Sequence, residues 1–171
     1  MSRTTLLKGN PVNVEGPELK VGDKAPGFKL QASAADGLGD VSLESYAGKT
    51  VLFSVVPSLD TPVCSIQTKK FNERAAELPE NVEFVTVSTD LPFAQSRYCG
   101  AEGISKVKAV SDHRDANFGK AYGVLITEGP LNRVLSRAVF VVGPDGLLKH
   151  VQYVPEVATE PDYDAALAAI S

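Results

Sequence analysis

The sequence predicts an α/β fold, with helices flanking a mixed central sheet and a β-hairpin at the N-terminus. Three observations predict it. Residues 51–56 are apolar without alternation, the pattern of a strand covered on both faces. A helical pattern over 62–78 and a second apolar strand at 82–87 follow, the order that joins parallel neighbours by a crossover. Two extended segments near the C-terminus flank Gly143-Pro144-Asp145-Gly146, where Pro and Gly occupy the positions a tight hairpin turn prefers. A crossover and a hairpin in one chain call for a mixed sheet.

Taken in order, residues 4–15 hold two short β-like pieces around Gly9-Asn10-Pro11 and read as the hairpin. Residues 20–27 are loop, 28–30 a short strand and 41–43 another, before a turn at Ala47-Gly48-Lys49. The 51–56 strand takes the centre of the sheet. After Pro57 comes a loop, and then the 62–78 helix, whose Val63, Ile66, Phe71, Ala75 and Leu78 recur at roughly helical spacing. Residues 92–99 predict a short helix entered at Leu91-Pro92 and ended by Gly100. A strand at 107–111 precedes a helix at 117–122 that Gly123 ends, strands at 136–142 and 147–154 make the C-terminal hairpin, and a helix over 161–170 closes the chain. The thioredoxin-like arrangement fits this order.

No repeat, low-complexity tract or linker divides the chain, so residues 1–171 are expected to form one domain. That length suffices to bury roughly 70% of the unfolded surface. Apolar residues at 43% and charged residues at 22% match soluble globular proteins and exclude a disordered chain. A net charge of −4 with no basic block argues against a nucleic-acid partner. No apolar run approaches the roughly twenty residues of a spanning helix, and charge and Gly9-Asn10-Pro11 interrupt the N-terminus before any secretion-signal pattern forms. No membrane association and a cytoplasmic location are therefore expected. In that compartment thiols stay reduced, so a disulfide between Cys64 and Cys99 would be a transient catalytic state and not a permanent staple.

The chemistry gathers around Cys64. Thr61 or Asp60 suits a helix N-cap, and Pro62 suits the first helical position because its missing N–H has no partner there anyway. Cys64 then falls in the first turn, where free N–H groups and the positive end of the helix dipole favour a thiolate. The size of such an effect is useful: moving a thiol pKa from about 8.5 to about 6 raises the thiolate fraction at pH 7 from roughly 3% to roughly 90%. Pro57 fixes the loop and shields the pocket floor, and the Thr61 hydroxyl is placed to bond the sulfur or an incoming oxygen atom. Arg137 opens an apolar strand, where a guanidinium is costly unless it meets an anion, and the Cys64 thiolate is a candidate. The expectation is a sulfur held as an anion, open to solvent, beside positive charge. The alternatives are a small inert core cysteine and an ordinary surface or carboxylate-paired arginine. Pro57, Thr61 and a helix start at fixed offsets favour the reactive reading.

His113 and His150 are isolated and the cysteines lie far apart, so no metal site is expected and both histidines read as surface residues. Phe93, Tyr98 and Tyr122 read as core or pocket-wall aromatics.

Pro57, Thr61 and Cys64 match the peroxiredoxin signature Pro-x-x-x-Thr-x-x-Cys, and the chain resembles, more narrowly, the thiol peroxidase group of atypical two-cysteine peroxiredoxins. The segments PSLDTPVC, DLPFAQSRYCGAEG, YGVLITEGPL, SRAVFVV and TEPDYDAAL carry that resemblance over most of the chain. It implies a thioredoxin-like fold and a two-step cycle on hydrogen peroxide and organic hydroperoxides. Cys64 is similar to the peroxidatic cysteine, which takes an oxygen from the peroxide and becomes a sulfenic acid. Cys99 is similar to the resolving cysteine, which condenses with it, and thioredoxin reduces the disulfide. Pro57, Thr61 and Arg137 carry over as pocket residues that orient the peroxide and stabilise shifting charge. The resemblance also implies a homodimer and no metal, haem or flavin. A disulfide needs α-carbons about 4.4 to 6.8 Å apart, so some unwinding around the cysteines is expected. A buried structural role for Cys99, and a peroxide-sensing redox switch using the same disulfide, are the alternatives. A thioredoxin-like electron carrier is disfavoured because no Cys-x-x-Cys is present.

Overall fold

The computed structural model describes residues 3–170. Strands β1 (Arg3–Leu7) and β2 (Asn10–Glu15) pair as the expected N-terminal hairpin, and a two-residue strand, β8 (Leu125–Ile126), extends them to a three-stranded sheet. The main sheet holds β3 (Lys29–Ala34), β4 (Gly37–Ser42), β5 (Thr50–Val55), β6 (Val82–Ser88), β7 (Val107–Ser111), β9 (Ala138–Val142) and β10 (Leu148–Tyr153) in the order β10-β9-β5-β6-β7-β3-β4. The crossovers α1 (Pro62–Ala75) and α2 (Pro92–Glu102) make β5, β6 and β7 parallel, while β9, β10, β3 and β4 pair antiparallel. Helices α3 (Asn117–Tyr122) and α4 (Tyr163–Ala168) complete the chain.

β5 is buried throughout, as its mostly apolar run without alternation requires, and its alternate residues feed two different cores. Val51, Phe53 and Val55 join Val85, Val87, Phe140 and the α3 residues Phe118 and Tyr122 on one face. Leu52 and Val56 join Phe84, Val139 and Val141 on the other, beneath Phe71 of α1, Tyr98 of α2 and Ala166 of α4. Cys64 belongs to this second core.

Four element boundaries depart from expectation, each for a local reason. The short strands at 28–30 and 41–43 are a longer hairpin, because Ala35-Asp36 make a two-residue turn and Gly37 at φ +129° continues it; Leu43 leaves the strand for a 3-10 turn, Leu43–Tyr46, closed by a Ser42–Ser45 capping box. α1 stops at Ala75 and reaches Leu78 only through single turns, in which the Glu77 and Leu78 amides donate to Arg74 and Ala75. α2 runs through Gly100 and ends at Gly103, whose φ of +67° is the left-handed cap that Gly100 does not supply. The last helix is shorter than 161–170, with Asp162 as N-cap accepting from the Ala165 amide at 3.0 Å. Phe93 lies on the surface, 65% exposed, while Tyr98 and Tyr122 are buried as expected. No helix among the described residues is long and apolar enough to cross a membrane.

Candidate active site

The loop that leaves β5 passes through buried Pro57 and turns at Ser58-Leu59-Asp60 before Thr61, the N-cap of α1, and Pro62. Cys64 is therefore in the first turn, and the Ser65 amide makes the first helical bond to the Thr61 carbonyl at 3.0 Å. Its sulfur meets Arg137, which lies just ahead of β9. The guanidinium is 2% exposed and held at three points: Nε donates to the Val157 carbonyl (2.8 Å), Nη1 to Gln67 Oε1 (2.8 Å), and Nη2 to Cys64 Sγ (3.3 Å). A desolvated cation with each of its three nitrogens directed at an acceptor is a strong electrostatic element in a low-dielectric site.

Two expectations need correction. Cys64 is 0% exposed and not open to solvent. The third helical position points it inward onto Leu52, Val56, Leu59 and Phe71, and the loop above is fastened shut. The Thr61 hydroxyl does not bond the sulfur; both its hydroxyl (2.9 Å) and its amide (3.2 Å) donate to the Ser58 carbonyl. That carbonyl lies three residues back in a tight turn, within easy reach, so Thr61 shapes the loop.

Sequence reasoning missed the residues that hold this geometry. Gln67 is one turn after Cys64 on the buried side of α1, and its amide nitrogen donates to Ser54 Oγ at 2.7 Å while its oxygen receives Arg137. A glutamine inside the apolar stripe of a helix was the available signal. Asp90, just beyond β6, accepts from Ser58 Oγ (2.7 Å), the Leu59 amide (2.8 Å) and Ser88 Oγ (2.8 Å), and so staples the Cys64 loop to the end of the sheet. Nothing local in the sequence marks it, because its partners are distant.

Cys99 lies in the middle of α2 and is half-buried; both cysteines are free thiols. It lines a groove of about 250 Å³ with Ala32, Val41, Tyr46 and Val107. Burial pushes the Cys99 thiol pKa above its ordinary range, which favours the protonated form. The structure thus joins Cys64 and Arg137 directly, places Pro57 and Thr61 in the covering loop, and sets Cys99 on the neighbouring helix. The two helices touch through Ser65 Oγ and Tyr98 OH, 2.7 Å apart. Between them opens a cavity of about 220 Å³, lined by Thr61, Pro62, Ser65, Arg97 and Tyr98 among others.

The chain as a whole has parallels in known proteins. The Redoxin family model matches residues 20–167, and the chain belongs to that family. Within it, the chain stands with the thiol peroxidases. It is 52% identical to a thiol peroxidase of Halalkalibacterium halodurans over 95% of this chain and 94% of the relative, and 47% identical to that of Bacillus subtilis over 95% and 93%. A crystal structure of a peroxiredoxin-like protein from Aquifex aeolicus superposes with a TM-score of 0.91 at 45% identity, covering 99% of this chain and 96% of that one. A thiol peroxidase from Chromobacterium violaceum, 22% identical with a TM-score of 0.85 over 96% and 93% of the two chains, shares the fold.

Proposed function

We propose that this protein is a cytoplasmic, homodimeric, thioredoxin-dependent peroxidase of one domain, in which Cys64 reduces hydrogen peroxide and organic hydroperoxides and Cys99 resolves the product. The observation that carries the site assignment is Arg137 Nη2 at 3.3 Å from Cys64 Sγ. The Cys64 sulfur attacks the terminal peroxide oxygen; an S–O bond forms, the O–O bond breaks, and the departing oxygen leaves as water or an alcohol after taking a proton. Arg137 offers its charge to the sulfur and to the oxygens as negative charge passes along them. Pro57 and Thr61 set the loop that confines the peroxide. Cys99 Sγ–H then displaces the hydroxyl of the Cys64 sulfenic acid, giving a disulfide and water, and two thiols of thioredoxin restore both cysteines. The buried Cys64 requires the loop over α1 to part for peroxide to enter. Kinship with the thiol peroxidases supports the reaction class; the enclosed cation supports the residue roles.

The test is peroxide consumption with thioredoxin and its reductase. Cys64→Ser is expected to lose turnover to background. Cys99→Ser is expected to consume one equivalent and then stall. Normal turnover by Cys64→Ser would refute the assignment, and a single stoichiometric oxidation of the unaltered protein in the complete system would turn it into a peroxide-sensing switch.

A further inference from the structure

The contact between α1 and α2 sets a condition on the resolving step. Successive residues of a helix project about 100° apart. Ser65 and Tyr98 meet across the interhelical seam at 2.7 Å, so their neighbours Cys64 and Cys99 project about 100° away from that contact. Cys64 faces the Arg137 pocket, and Cys99 faces the groove beside β3 and β7. Two flanking ion pairs hold the same register, Arg97 to Asp60 at 3.6 Å and Lys69 to Glu102 at 3.0 Å. With both helices wound, the Ser65–Tyr98 hydroxyl bond ties α2 to α1 one residue from each cysteine.

Gly100 stands directly after Cys99, inside α2. It is not among the glycines at positive φ, and a Cβ added to it would meet nothing within 4 Å. Neither turn geometry nor close packing accounts for a glycine here. What glycine does at an exposed interior helical position is weaken the helix. The weak point lies beside the cysteine that has to move, and the Ser65–Tyr98 contact opposes it.

We propose that Gly100 is the hinge at which α2 unwinds to deliver Cys99, and that the Ser65–Tyr98 hydroxyl pair is the clasp that must release first, the two together setting the lifetime of the Cys64 sulfenic acid. This rests on the peroxidase reading above. The covalent step is the one already balanced: the Cys99 S–H and Cys64 S–OH become a disulfide and water. While the clasp holds, a second peroxide can oxidise the sulfenic acid to sulfinic acid, giving up its oxygen and leaving as water or an alcohol. Gly100 and Tyr98 thus act as positioning residues on the partition between resolution and over-oxidation.

The experiment mixes reduced protein with excess hydrogen peroxide, quenches with acid, and counts thiol, sulfenic acid, disulfide and sulfinic acid at Cys64 by mass spectrometry. Gly100→Ala is expected to slow disulfide formation about two- to five-fold and to raise the sulfinic yield. Tyr98→Phe is expected to speed it about two- to tenfold and to lower that yield. Gly100→Ala should leave the second-order rate of Cys64 oxidation unchanged, a pattern that general loss of structure does not produce. The proposal is overturned if either variant leaves the rate of disulfide formation unchanged or moves it the other way. Wild-type Cys64 that never reacts with peroxide would overturn the peroxidase reading itself, a distinct result visible in the first seconds of the same traces.

Discussion

The two faces of the central sheet are built from alternate residues of the same strands, yet they differ in kind. The face under α3 is an aromatic cluster: Phe53 meets Phe28 and Phe118 edge-on at 5.5 and 5.6 Å, and Phe118 stacks on Tyr122 at 4.1 Å. The face under α1 and α2 is threaded by buried polar groups, Ser54, Gln67, Thr86, Ser88, Gln95 and Arg137, with Cys64 among them. Thr86 Oγ1 and Gln95 Oε1 find no hydrogen-bond partner among the described residues. Close-packed rings stabilise, whereas enclosed polar groups each cost free energy unless satisfied. One face therefore supplies the stability that lets the other carry a buried cation and a buried thiol.

That division can be broken from either side. Phe53→Ala, which empties the centre of the aromatic face, should lower unfolding free energy by about 3–5 kcal/mol in urea titration, while the protein that remains folded oxidises Cys64 at close to the normal rate. Arg137→Met should do the reverse, cutting the rate of Cys64 oxidation by about 10²- to 10³-fold in stopped-flow measurements. If Phe53→Ala proved the more damaging to the rate, the contrast between the faces would fail. Asp90→Ala removes the acceptor of Ser58, Leu59 and Ser88, and should cost about 1–3 kcal/mol, with faster hydrogen exchange at the Leu59 amide.

The smallest effect sharpens the comparison by way of the one carboxylate enclosed beside the aromatic face. Asp112 is 1% exposed and accepts from the Phe118 and Gly119 amides at 3.1 and 2.8 Å. Burial pushes its pKa up from 3.8 to about 6, against the pull of those amides. The folded state then takes up a proton before the unfolded chain does, so this group's contribution is full below about pH 4 and is lost as pH rises through about 6. Thermal melts should show the Tm of wild type, relative to Asp112→Asn, a few degrees higher at about pH 4.5 than at about pH 7. A flat difference would mean that Asp112 is not desolvated in solution.

Most of the fold was legible because its signals are local. A mostly apolar run without alternation marked β5, Pro62 marked the start of α1, and Gly143 to Gly146 marked the last hairpin. Cys64 and Arg137 were legible as a pair because a charge at the mouth of an apolar strand demands an anion. The β3–β4 hairpin escaped because Gly37 and Gly39 dilute its alternation, and β8 because two residues carry no period. Asp90 and Gln67 escaped for a different reason, since each owes its role to partners brought close only by the crossovers. The enclosure of Cys64 was likewise a tertiary fact: a helix start predicts free N–H groups, and says nothing of the loop folded over them.

The three-point attachment of Arg137 has a consequence for the other half of the cycle. Two of its anchors, the Val157 carbonyl and Gln67, do not involve the Cys64 sulfur. If the proposed disulfide drew the sulfur away, a positive charge would stay behind in a dry recess with one contact of its fork lost. Such a vacancy would favour the sulfur's return, so the proposed disulfide would carry its own incentive to be reduced.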